Sequence, residues 1–79
     1  MRRIELPDGK YLTEREGEVL TTMMRGYTAV LTGDLLCCSP RTVNCHLRHV
    51  YEKLEVHGLL ETRCRLEEWD LLERLVAGE

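Results

Sequence analysis

Seventy-nine residues with a formal charge of −3 make one small domain, near the size at which a single core barely suffices and a second chain helps. No apolar run reaches the ~18 residues of a membrane span, and the opening MRRIELPDGK lacks the apolar stretch of a secretory signal. The expected compartment is the cytoplasm, where Cys37, Cys38, Cys45 and Cys64 stay reduced and form no disulfide framework.

Residues 2–12 alternate apolar and polar side chains on both sides of P-D-G, a turn signal that fits a short hairpin or an extended arm. A lone hairpin is marginal in water and needs packing. The pattern fits a flexible tail equally well, so residues 1–11 are set apart as an N-terminal arm and residues 12–79 as the domain proper. Thr13 with Glu16 three residues on reads as a capping box that starts a first helix. Val19, Leu20, Met23 and Met24 give it an apolar stripe, and Gly26 ends it. A second helix follows from Thr28 through Leu35 and Leu36, with Gly33 inside it where a neighbouring helix must come close.

The third helix carries the clearest signals. Ser39 is a cap and Pro40 suits the first helical turn. Val43, Leu47, Val50 and Leu54 recur at four, three and four residues and face a core, together with Val19, Leu20 and Leu36. Arg41, Asn44, Cys45, Arg48 and Glu52 occupy the opposite face, flanked by Thr42, His46, His49 and Lys53. A last helix is expected from Leu59 to Val76. Its apolar residues, Leu59, Leu66, Trp69, Leu72 and Val76 among them, exceed what one side can bury, which predicts a homodimer seam.

Helices joined by a tight turn between the second and third describe an all-α helix-turn-helix module. The chain also resembles the LuxR/FixJ/NarL-type domain of bacterial transcription regulators. The resemblance is carried by L-T-E-R-E-G-E-V-L (12–20), Gly26 and Thr28, S-P-R-T-V-N-C-H-L (39–47) and V-Y-E-K-L-E-V (50–56). It implies a four-helix domain whose third helix enters the major groove of double-stranded DNA and whose fourth often pairs protomers. Carried over by position, Asn44, Cys45 and Arg48 would face bases, with Thr42 and Lys53 near phosphates and Arg41 on the same exposed face. Arg suits guanine, Asn suits adenine, and a small apolar group can touch a thymine methyl.

The second helix departs from that pattern. The family typically reads N-K-E-I-A where this chain has A-V-L-T-G (29–33). Leu31 replaces the acid that would complete a capping box from Thr28, and Val30 stands where a polar, backbone-facing residue is common. Charge is uneven too: residues 67–79 sum to −4 and the rest to +1, a thin electrostatic footprint for nucleic acid. Two functions are therefore in play. One is a small DNA-binding regulator that acts as a dimer. The other is a LuxR-like module that has lost DNA affinity and docks through Val30 and Leu31 on a transcription factor or RNA polymerase subunit.

Metal and catalysis are weaker readings. Cys45, His46 and His49 with Cys37 and Cys38 include no C-x-x-C pair to complete a zinc site, and Cys38 fits a small core residue. Cys45 and His49 on an exposed helix have no evident pocket or oxyanion donors. No cofactor, metal or enzymatic activity is expected.

Overall fold

The computed structural model describes residues 3–77, with side chains as far as Leu75. A hairpin of β1 (Ile4–Glu5) and β2 (Tyr11–Leu12) precedes α1 (Glu14–Met24), α2 (Ala29–Leu36), α3 (Pro40–Leu54), α4 (Leu59–Glu68) and α5 (Leu72–Ala77). The hairpin is antiparallel, with Ile4 opposite Leu12 and Glu5 opposite Tyr11. It is no loose arm: Leu6 and Leu12 are buried in the core, which is the packing that so short a hairpin requires.

Three helix starts follow their sequence signals. The Thr13 hydroxyl accepts from the Glu16 N–H, and the Glu16 carboxylate accepts from the Thr13 N–H, the full capping box. Thr28 accepts from the Leu31 N–H. Ser39 accepts from the Thr42 N–H, with Pro40 in the first turn. Each satisfies an N–H that the helix leaves unpaired.

The core falls into two clusters. One joins α1, α2 and α3 through Val19, Val43 and Leu47, with Met23, Ala29, Leu36 and Cys38 packed at its edge. The other gathers Leu6, Leu12, Leu20, Met24, Val50, Leu54, Val56, Leu66 and Leu71, and so ties the hairpin, α4 and α5 to the back of α1 and α3. Val43, Leu47, Val50 and Leu54 are buried as the spacing of α3 requires. Leu36 is only half-buried, because it closes the rim of the smaller cluster.

Gly33 sits at a close approach, but its neighbour is the following turn rather than a helix. A Cβ at this position would lie 2.5 Å from the Cys38 carbonyl oxygen and 3.4 Å from the Pro40 nitrogen. The absent side chain lets the backbone fold back within two residues of the end of α2.

The expected continuous last helix is two helices. Asp70 adopts a left-handed conformation (φ 62°), the Leu71 N–H reaches back to the Leu66 carbonyl and the Asp70 N–H to that of Glu67. This Schellman arrangement ends α4, and the buried Leu71 just after it supplies the apolar contact that fixes the stop. Aspartate, with its short polar side chain, tolerates this backbone region better than most residues, so no glycine announces the break.

The break also changes what the apolar residues do. Leu66 is fully buried within its own chain, and Trp69 and Leu72 pack half-buried against the same cluster. Leu66 is therefore not available to an outward seam, because the turn at Asp70 folds α5 back against the core, while Trp69 and Leu72 keep part of their surface exposed. The Val76 side chain lies outside the described residues. Two arginines anchor α4 further: Arg63 donates to the Met24 carbonyl at 2.9 Å and Arg65 to the Leu54 carbonyl at 2.8 Å, satisfying acceptors at the C-terminal ends of α1 and α3. On the opposite side of α1, Ile4, Gly17, Leu71 and Leu75 line a groove of about 630 Å³ that brings the hairpin and α5 together.

Candidate nucleic-acid interface

With Val43, Leu47, Val50 and Leu54 inward, the other side of α3 is left to solvent. Arg41, Thr42, Asn44, Cys45 and Arg48 are all exposed. Arg41, Cys45 and Arg48 follow one another at four and three residues, and Asn44 precedes Arg48 by four, so they share one stripe. Arg41 and Arg48 make no ion pair among the described residues, which leaves both guanidinium groups available to an acceptor outside the chain. Thr42 is held at the helix start, its hydroxyl 3.1 Å from that of Ser39.

Lys53, expected near a phosphate, is engaged within the chain. Its ammonium lies 2.7 Å from the Glu16 carboxylate and stands over the Tyr11 ring at 5.4 Å. The link joins α3 to α1 and to the hairpin. The cause is burial: the Glu16 carboxylate is almost wholly covered, and a covered charge must be paired. Burial by itself pushes the Glu16 carboxyl up. The hydrogen bonds from Lys53 and the Thr13 N–H, with the charges of Lys53 and His49, outweigh it and hold the group below its ordinary value. His49 Nδ1 is 3.9 Å from the second carboxylate oxygen.

The Glu16–Lys53 link has no signature in the sequence: the capping box already accounts for Glu16, and a pairing across 37 residues leaves no local signal. The outward apolar stripe of α2 was seen only in part. Val30 and Leu31 are 58% and 50% exposed, Leu35 one turn beyond Leu31 is 60% exposed, and Tyr27, just before the Thr28 cap, is 43% exposed. On α4, Leu59 and Leu60 are exposed, Leu60 at 77%, and Cys64 one turn beyond Leu60 is exposed as well.

No group of three or more His, Cys, Asp or Glu that could hold a metal occurs among the described residues, and no helix among them is long and apolar enough to cross a membrane. A three-helix unit with a tight turn between α2 and α3, and a polar, cation-bearing face on α3, defines a helix-turn-helix domain of the DNA-binding class. Residues 10–65 match the family model described as bacterial regulatory proteins, luxR family, and the chain belongs to that family. No curated protein and no solved structure matches it.

Proposed function

We propose that the protein is a transcription regulator that inserts α3 in the major groove and binds as a dimer. The observation that carries this reading is the outward stripe of α3, where Arg41, Asn44, Cys45 and Arg48 are exposed together and both arginines are free of ion pairs among the described residues. Arg48 and Asn44 would read base edges, while Arg41 and Thr42 near the helix start would meet the backbone. Because Lys53 is engaged with Glu16, the stripe brings only two committed cations to DNA. Affinity should therefore be modest for one protomer, and pairing would supply the rest.

The surface best suited to that pairing is the outer side of α4, where Leu59, Leu60 and Cys64 are exposed. The test is an anisotropy titration against random-sequence and genomic duplexes at two salt concentrations. Binding that weakens with salt supports the reading, and absence of binding at low salt overturns it. Leu60→Glu should yield a folded monomer in sedimentation, with reduced DNA affinity.

The exposure of Val30 and Leu31, where relatives of this type carry polar groups, favours a second reading in which the domain docks on a transcription factor or RNA polymerase subunit. In that case Arg48→Ala is silent, and Val30→Asp or Leu31→Asp abolishes a protein contact.

A further inference from the structure

The chain has three histidines, and they stand in unlike surroundings. His57 Nδ1 lies 3.6 Å from the Glu61 carboxylate, but both side chains are open to water, where such a pair contributes little. His46 is half-buried on α3. His49, half-exposed on α3, is the one that meets a covered charge: its Nδ1 is 3.9 Å from Glu16 Oε2, and the Glu16 side chain is almost wholly buried.

The two oxygens of Glu16 are used unequally. Oε1 accepts from the Lys53 ammonium at 2.7 Å and from the Thr13 N–H at 3.0 Å. Oε2 faces the His49 ring across a gap too long for a hydrogen bond but short enough for a charge to be felt. Because Glu16 is held below its ordinary value, it stays ionised over the range, about pH 5 to 8, in which imidazoles change charge. The other groups near the ring do not take that oxygen. Lys53, one turn along α3, is committed to Oε1 and stands over the Tyr11 ring. Arg15, beside Glu16 on α1, is engaged with Glu18. Arg48 and Glu52, the charged neighbours of His49 on α3, are exposed.

We propose that His49 is a proton-operated cation on the DNA-facing helix: on taking up a proton its ring pairs with Glu16 Oε2, and this part of α3 gains a positive charge that Glu16 cannot cancel. With a neutral ring, the Glu16 carboxylate and the Lys53 ammonium offset one another. With a protonated ring, two cations share one anion. The excess charge lies next to Arg48 and one turn beyond Cys45, at the edge of the outward stripe, on a side chain half open to solvent. The pairing stands on this chain alone, while its effect on DNA rests on the DNA-binding reading. Since the stripe itself carries only Arg41 and Arg48 as cations, one further charge makes the affinity respond to protons.

The test uses the full chain and two readouts at about pH 5.5 and pH 8, the two sides of the imidazole range. In denaturant melts, His49→Gln should lower the folding constant roughly two- to five-fold at the lower pH and leave it unchanged at the higher. Glu16→Gln keeps the capping box, and in that background the His49→Gln loss should vanish. In anisotropy titrations with a duplex, the gain in affinity from the higher to the lower pH should be roughly two- to five-fold larger for the wild type than for His49→Gln. The salt dependence at the lower pH should also be steeper by about one ion. His46→Gln should keep the wild-type gain. A His49→Gln loss that is equal at both pH values, or that persists with Glu16→Gln, overturns the pairing. Equal affinity gains in the wild type and His49→Gln overturn its action on DNA. If no duplex is bound at either pH, the DNA-binding reading fails, and the melts still decide the pairing.

Discussion

The two helices of the helix-turn-helix unit obey opposite rules, although both are capped and both pack on α1. In α3 the apolar residues are buried and the outward side is polar, as amphipathic patterning requires. In α2 the inward side is small and polar, with Thr32 and Gly33 buried, while Val30, Leu31 and Leu35 face solvent. Helix α3 is thus held by hydrophobic burial, and α2 by backbone proximity together with Ala29 and Leu36 at the edge of the smaller cluster. The close approach of Gly33 to the Cys38 carbonyl and the buried Thr32 hydroxyl, 3.3 Å from the Met23 sulfur, add to the small apolar seam of Ala29 and Leu36. A helix docked in that way can spare its large side chains for the outside.

The contrast can be broken most severely from the α3 side. Leu47→Ala should cost about 2–5 kcal/mol, which threatens a domain whose whole stability is of that order. Denaturant melts should show the midpoint fall with the slope unchanged, and an effect within experimental error would mean that Leu47 is not a core residue. At the link between elements, Lys53→Ala leaves the covered Glu16 carboxylate without its cation and should cost about 1–3 kcal/mol. Its effect should appear in stability first and only secondarily in DNA binding.

The same link sets a pH dependence. Glu16 is held below its ordinary value when folded, so the unfolded chain binds its proton more readily. The stabilisation is complete above the unfolded value and drains away as pH falls through the folded one. Glu16→Gln should flatten that acid limb in melts taken across the carboxylate range, and an unchanged limb would assign it to other groups.

Arg48→Ala should leave stability alone and lose about 1–3 kcal/mol of DNA affinity, relaxing preference at one base pair. Equal losses on all sequences would place Arg48 on a phosphate instead. The smallest effect belongs to α2, where Leu31→Glu should stabilise the domain by roughly 0.3–1 kcal/mol through its completed cap. A destabilised variant would mean that Leu31 is packed rather than displayed.

Helix starts were legible in the chain because Thr13, Thr28 and Ser39 act on backbone groups only three residues away. Helix ends were less so. Only Gly26 marks a stop with glycine, while α2, α3 and α4 end at Cys37, Glu55 and Asp70 in left-handed conformation. What ends α3 and α4 is a buried apolar residue just beyond, Val56 or Leu71, whose N–H reaches back five residues. That signal depends on tertiary burial and cannot be separated from an ordinary core position in the sequence. Without a visible stop at Asp70 the pattern reads as one helix, and Leu66 then falls on an outward side that the fold does not give it. The candidate DNA side was legible to the extent that α3 periodicity governs it. The Lys53–Glu16 link leaves no trace in the local pattern, because the partner lies on another helix.

The shared groove on α1 bears on how the domain can be connected to other chains. Because β1 and α5 line the same trough, the first and last described elements lie side by side. A domain so arranged tolerates insertion into a loop of a host protein, and its ends can be rejoined by a short linker with new ones opened elsewhere. A permutant opened at the exposed His57 would free α4 from α3 in sequence while Arg63 and Arg65 still hold it in space. Its folding would show whether the packing of Leu66 and those two guanidinium groups suffice to seat α4 without the chain that now delivers it.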